Sequence, residues 1–364
     1  MEFKILKGEF LTALNQIQGV VEKKIVMPVL ANVLLEAEEN VLKISATDLE
    51  VALHVQTQAT VLTPGKITVL AKKLFDIVKE AAGEEITMRA AENDRVEISA
   101  LNTHCKIMAL PANEYPKLPE PEGEFVRVAT EDLVDMLEKV GFAMSTDEAR
   151  HHLNGIYLEK KEDEVVVVAT DGHRLSLSRK NINLPSFAQN GIIIPRKGVS
   201  ELKKIVGSQK GIELSVSKRH IFARTEKQML FIRLIDGDFP NYNRVIPESS
   251  KIKVTVPRES LIGALRRVSL LSDEHSKGVK LYFCRDALLV NTTNLDVGEA
   301  KEEIALDYKN EALEVSFNAR YLLDVLGALT DNSVVLGFND KASPCLITSP
   351  SNKGFTSVIM PMRV

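Results

Sequence analysis

Residues 3–11, 125–133 and 252–261 share one pattern: each alternates as a strand and then enters an amphipathic helix. Later anchors keep the register. Thr47-Asp48-Leu49, Thr170-Asp171-Gly172 and Thr293-Asn294-Leu295 recur at two equal intervals of 123 residues. A period that long is a whole domain rather than a solenoid unit, so the chain reads as three copies of one fold. Function is then expected where the copies differ.

Each copy divides again. Residues 7–24 predict a helix with Phe10, Leu11, Leu14 and Ile17 on one face, and residues 72–82 a second with Leu74, Phe75 and Val78. Copy two repeats this with Leu133, Leu137 and Val140, then Val199, Leu202 and Ile205. Copy three has Leu261, Leu265 and Val268, then Leu322, Leu323 and Leu326. Alternating runs at 41–45, 164–168 and 287–290 lie between the helices, and hairpin-length gaps join many strands. The expected fold class is α+β: strand–helix–strands six times, with mostly antiparallel sheets. Prolines punctuate the joints (Pro111, Pro116, Pro119 and Pro121, then Pro240 and Pro247), which predicts domains at 1–121, 122–247 and 248–364.

No apolar run approaches the roughly 18–20 residues needed to span a bilayer, so no membrane partner is expected. The chain opens directly on strand pattern, without the look of a signal peptide. Three cysteines, Cys105, Cys284 and Cys345, are odd in number and far apart, which fits reduced thiols in a cytoplasmic protein. The formal net charge is −4, on its face unsuited to a nucleic-acid partner, but the six helical segments together carry +4 and everything else −8. Lys7, Lys72-Lys73, Arg196-Lys197, Arg258 and Arg320 open five of the six helices, against the helix dipole. Such cations make sense beside phosphates, or as solvated side chains. Acidic stretches at 36–39, 159–164 and 299–303 read as outer loops. Tryptophan is absent and aromatics are 5 %, which disfavours a base-stacking platform for single strands.

Asp171-Gly172-His173-Arg174 invites a catalytic reading. Its counterparts are Asp48-Leu49-Glu50-Val51 and Asn294-Leu295-Asp296-Val297. Asn can form the same side-chain-to-backbone turn as Asp but cannot act as an acid or base, so a turn explains the shared position. Gly172, His173 and Arg174 are private to copy two and fit a binding role. An enzyme using Asp171, His173 and Arg174, for instance in phosphoryl transfer, is the rival, yet no glycine-rich phosphate loop, metal cluster or nucleophile beside a base accompanies them. The tail is private too. Residues 357–364 predict a last strand ending in Met360-Pro361-Met362, a flexible apolar surface suited to varied partners.

Together with the repeat, the motifs Ala169-Thr170-Asp171-Gly172-His173-Arg174-Leu175, Phe239-Pro240-Asn241-Tyr242-Asn243-Arg244, Ile194-Pro195-Arg196-Lys197-Gly198 and Met360-Pro361-Met362-Arg363 give the whole chain a resemblance to the bacterial sliding-clamp family. These are the β subunits of DNA polymerase III. The resemblance implies a head-to-tail homodimer closing into a ring of six domains, helices lining the hole and sheet outside. The ring would enclose duplex DNA and tether the polymerase, with no catalysis, cofactor or metal. Implied partners are the DNA polymerase III α subunit, the clamp loader, and other replication and repair proteins carrying a clamp-binding motif. A scaffold that binds partners but not DNA is the second rival.

The family's partner-peptide pocket, carried onto this sequence, comprises Leu153, Thr170, Gly172, His173, Arg174, Leu175, Pro240, Arg244, Val245, Val358 and Met360. An adjoining groove comprises Asn318, Tyr321, Pro361, Met362 and Arg363. DNA-facing positions are Lys24, Lys73, Arg150, His151, His152, Arg196 and Lys197. His151-His152 stands where the family resemblance leads one to expect an aromatic pair, and Ala342 and Pro344 make an atypical groove wall. For the dimer seam, the resemblance implies Cys105 and Ile107 of one chain packing against Leu270 and Leu271 of the other.

Overall fold

A computed structural model describes residues 1–21, 27–162, 164–185, 191–207 and 211–362. Six α-helices lie among them: α1 (Lys7–Ile17), α2 (Ala71–Glu80), α3 (Thr130–Gly141), α4 (Arg196–Gly207), α5 (Arg258–Val268) and α6 (Ala319–Gly327). Every one is entered from a strand with no intervening loop: Glu2–Leu6, Gly65–Leu70, Val126–Ala129, Ile192–Pro195, Ile252–Pro257 and Leu313–Asn318. At each junction the apolar period changes from two to 3.6, which is the pattern that predicted them.

The helix faces need small corrections. Phe10, Ala13, Leu14 and Ile17 are the buried stripe of α1, and Leu11 stands half-buried at its margin. Phe75 and Leu323 are marginal in the same way, while Val325 joins Leu322 and Leu326 inside. Helix α1 was expected to reach Lys24 but ends at Ile17, where Gln18-Gly19 follows as a turn. Glycine is among the poorest helix formers, and it breaks the apolar period there. Lys24 itself lies outside the described residues. Helix α2 stops at Glu80 because Ala81 turns to an extended ψ of 140°.

Two compact units emerge, and both are antiparallel throughout. The first contains residues 1–130 and 200–234 with a short segment beginning at Asn183, and it carries a 13-stranded sheet. The second contains 131–182, 188–199 and 235–364, with an eight-stranded and a four-stranded sheet. In the first unit Gln228–Arg233 pairs along Val51–Gln58, with Phe231 opposite Ala52. In the second, Phe355–Ile359 pairs along Arg174–Asn181, with Val358 opposite Leu175. The middle copy is therefore divided: Val126–Ala129 and the strands of 211–233 extend the first sheet, while those of 155–181 belong to the second unit. Main-chain ladders that continue from one copy to the next override the 123-residue period as the unit of packing.

The acidic stretches are strands and tight hairpins rather than loops. Glu36 lies in Asn32–Glu38, Glu159 in Gly155–Lys161 and Glu302 in Gly298–Ala305. Their carboxylates face cations: Glu36 pairs with Lys43 and Lys66, Glu159 with Lys161, and Glu302 with Arg267. The last strand is also shorter than expected, ending at Ile359. Pro361 has no N–H for a ladder, yet Met360 N donates to His173 O at 2.9 Å and Met362 N to Ser316 O at 2.8 Å. Cys345 is buried, and burial pushes its thiol pKa up; Cys105 and Cys284 are half-buried and all three are free. No helix is long and apolar enough to cross a membrane among the described residues.

Candidate recognition cleft

The repeated Thr–Asp/Asn signature is a turn in all three copies. In the second, Thr170 Oγ1 accepts from Gly172 N (3.1 Å) and donates to Arg174 O (2.6 Å). Asp171 Oδ1 accepts from His173 N (2.9 Å) and Arg174 N (3.0 Å). Asn294 Oδ1 accepts from Asp296 N (3.0 Å), which the amide does as well as a carboxylate. Gly172 takes φ +90°, a left-handed conformation that suits glycine.

This turn forms one wall of a cleft of about 200 Å³ in the second unit. Leu153, Thr170, Gly172, His173, Arg174, Leu175, Pro240, Asn241, Tyr242, Val245, Val358 and Met360 line it. Of the residues expected here, Arg244 alone is absent from the lining; it stands exposed in the short turn Tyr242–Arg244. Asn241 and Tyr242 were not expected. Tyr242 is buried and its hydroxyl donates to Glu159, and burial with that carboxylate raises the phenol pKa. The place of Asn241 and Tyr242 directly after Pro240 in the motif 239–244 is the sequence signal that marks them.

Arg174 is the anchor of the wall. It is buried, with Nε donating to Asp171 (3.0 Å), Nη1 to Asp324 (2.6 Å) and Nη2 to the Phe142 carbonyl (2.7 Å). Its guanidinium lies 4.4 Å from the Tyr321 ring centroid. Such a fork, with carboxylates on two sides and an aromatic face, needs arginine. Asp171 and Arg174 are thus occupied in holding a turn to which His173 contributes main-chain atoms, and Asp171 has both oxygens engaged, which weakens the catalytic rival. No cluster of metal-ligating side chains occurs among the described residues.

Of the expected adjoining groove, Asn318 caps α6 by accepting from Arg320 N (2.9 Å) and donates to Ser276 O (3.0 Å). Tyr321 stacks on Arg174 as above, Pro361 and Met362 are half-buried, and Arg363 lies outside the described residues. Ala342 and Ser343 donate to Asp340 Oδ1, making the stretch before Pro344 a closed turn.

The helix-opening cations require a correction. Lys7 Nζ donates to Ala81 O (2.6 Å), just past the end of α2. Arg196 donates to the Met144 and Ser145 carbonyls (2.8 and 2.9 Å), a few residues beyond α3. Arg258 donates to Leu326 O in the last turn of α6 and to Asp331 O, both at 2.9 Å. These cations serve carbonyls at or beyond helix C-termini, where the dipole attracts positive charge. Lys72, Lys73 and Arg320 are exposed. Arg150 pairs with Asp147 at 2.8 Å, His151 is exposed and His152 half-buried in the turn His151–Leu153, and Lys197 is half-buried.

Of the expected seam residues, Leu270 exposes 79 % of its surface, while Leu271, Cys105 and Ile107 are half-buried.

Family profiles match nearly all of the chain in three segments: the DNA polymerase III beta subunit N-terminal domain over 1–119, its central domain over 127–241 and its C-terminal domain over 243–363. The β sliding clamps of Pseudomonas putida and Caulobacter vibrioides are 34 % and 35 % identical, each aligned over 100 % of both chains. The crystal structure of the Caulobacter crescentus β sliding clamp superposes with a TM-score of 0.96 at 34 % identity, covering 100 % of this chain and 99 % of that one. The DNA polymerase III subunit beta from Pseudomonas aeruginosa gives 0.93 at 34 % identity, with both chains fully covered. Fold and relatives together define a protein of the DNA-clamp class, made of three clamp domains. Within that class the chain belongs to the DNA polymerase III β-subunit family, the bacterial β sliding clamps. It is a replication protein, a non-catalytic processivity subunit whose partners are DNA and polymerase.

Proposed function

We propose that two copies of this chain close head to tail into a ring around duplex DNA, with domain limits near 122 and 248. In this reading the cleft at His173 and Tyr242 takes short linear motifs from the DNA polymerase III α subunit, the clamp loader, and other replication and repair proteins. The ring works in the bacterial cytoplasm. A structure of the Pseudomonas aeruginosa clamp was solved with griselimycin bound, and that relative is 34 % identical to this chain.

The observation that carries the ring is a pair of open strand edges. Thr103–Leu110 pairs fully with Arg95–Ala100 but on its other side only through Ala109 and Leu110. Gly298–Ala305 ends its four-stranded sheet. Twice within the chain, the strand equivalent to Thr103–Leu110 pairs with the strand equivalent to Gly298–Ala305. Among the described residues the third such joint has no partner within one chain. Ile98–Cys105 matches Ala223–Leu230 as a cross-strand pair, so Ile107 answers to Ile232, which sits opposite Val51. Carried forward by the repeat, Ile107 falls opposite the partner's Val297 and Lys106 opposite the partner's Gly298. Met108 and Val297 are 66 % and 61 % exposed in one chain, as an unmade apolar seam requires. The turn Ser269–Leu271 lies beside Gly298–Ala305 and brings the two expected leucines to the same edge.

A native mass of twice 40.3 kDa is expected. Loaded on nicked circular DNA, the protein should stay on the circle and leave when the circle is linearised. A monomer at micromolar concentration, or equal retention on linear and circular DNA, defeats the reading.

A further inference from the structure

The recognition cleft has a repeat-mate in the first compact unit. A second depression, of about 120 Å³, is lined by Leu49, Glu50, Pro116, Leu118, Phe231 and Arg233 among others. Its main-chain skeleton reproduces the first bond for bond. Thr47 Oγ1 accepts from Leu49 N and donates to Val51 O, both at 3.0 Å. Asp48 Oδ1 accepts from Glu50 N (3.0 Å) and Val51 N (2.7 Å). Arg233 N donates to Glu50 O at 2.8 Å, as Met360 N does to His173 O at 2.9 Å. By the repeat, Pro116 answers to Pro240, Leu118 to Tyr242, Phe231 to Val358 and Arg233 to Met360.

The lining differs in a way that has chemical content. Where copy two has Gly172, copy one has Leu49, held at φ +76° and 52 % exposed. A leucine rarely adopts that backbone, and an apolar side chain displayed at a cleft mouth gains nothing from water. Phe231 is buried as the floor, and Leu118 packs against it half-buried. Lys117 and Arg233 are exposed at the rim beside Glu50, and neither cation forms an ion pair among the described residues. On a chain of net charge −4, a rim where two cations outnumber the single carboxylate of Glu50 favours a local anion.

We propose that this second cleft binds a short extended peptide carrying one apolar anchor flanked by carboxylates. The anchor sits over Phe231 between Leu49 and Leu118, and the carboxylates meet Lys117 and Arg233. The inference goes beyond the function proposed above and does not depend on it, since each cleft is read out separately.

The test uses the full-length protein and a synthetic peptide, acetyl-Asp-photoleucine-Phe-Asp-amide, cross-linked by light, with adducts mapped by mass spectrometry. Adducts are expected within 116–119 or at Phe231, as well as in the larger cleft near Val245. Arg233→Glu with Lys117→Glu should reduce the first set roughly tenfold and leave the second unchanged, which also shows that the variant is folded. Replacing the peptide's aspartates by lysines should have the same selective effect. Adducts confined to the larger cleft, or adducts at 116–119 indifferent to both charge reversals, overturn the proposal. Loss of the larger-cleft adducts alone would count against the function proposed above and not against this one.

Discussion

Arg258 begins one helix and completes another: its Nη1 donates to the carbonyl oxygen of Leu326 at 2.9 Å, in the last turn of α6. A second bond, from Nε to Asp331 O, fixes the same guanidinium. A residue that looks from its sequence position like a phosphate contact is a cap for a neighbouring helix. Arg258→Met should therefore destabilise the protein by about 2 kcal/mol, the range for lost hydrogen bonds from a charged donor. The urea midpoint checks this, and retention on circular DNA by the folded fraction should not change.

Arg174 and Tyr321 should be energetically coupled. The guanidinium lies over the ring and is also bound by Asp171 and Asp324. Arg174→Lys keeps the charge but loses the fork, so partner-peptide affinity and thermal stability should both fall. A double-mutant cycle with Tyr321→Leu should give a coupling energy of about 1 kcal/mol. Additive single effects would show that the stacking is incidental.

His54 gives the first unit an acid-sensitive point. Its Nδ1 lies 2.6 Å from Ser45 Oγ and its ring meets Phe231 edge-on at 5.1 Å. Burial, reinforced by Lys43, lowers its pKa from 6.5 to about 4. The unfolded chain therefore takes up this proton at a higher pH than the folded one. The contribution is complete above pH 6.5 and disappears as pH falls to about 4. It amounts to about 3 kcal/mol at most. His54→Phe should flatten the acid limb of a stability–pH curve over that interval; an unchanged slope would assign the acid sensitivity elsewhere.

Leu270→Asp should convert the dimer to a monomer. Leu270 is 79 % exposed in the single chain, so the substitution costs little stability there. Buried at the proposed seam, an unpaired carboxylate is strongly unfavourable. Native mass spectrometry reads the outcome directly, and a persistent dimer would place the seam away from this turn.

Local chemistry was the legible part of this chain. The switch of period at Leu6 and Lys7 predicted the strand-to-helix entries, and Asn294 in the place of Asp171 predicted a turn. The cleft was legible through residues that break the repeat, yet Tyr242 was missed because a buried aromatic looks like core. The partners of the helix-opening cations, by contrast, are long-range. Lys7 and Ala81 are 74 positions apart, and nothing near Lys7 says that a helix end will lie beside it. The division of the middle copy depends on Phe231 finding Ala52, a pairing that follows from ladder continuity rather than from either strand alone.

That division sets an order for synthesis. A nascent chain whose first 121 residues have emerged holds Val51–Gln58 with one edge unsatisfied, since its partner strand ends only at Arg233. Strand Arg174–Asn181 waits in the same way for Phe355–Ile359, made nearly two hundred residues later. A ribosome stalled at either repeat boundary would display a template for pairing with whatever strand came by, including the same strand from the neighbouring ribosome. Three similar domains made in series therefore do not fold as three independent events, and each joint closes only after the next copy has begun.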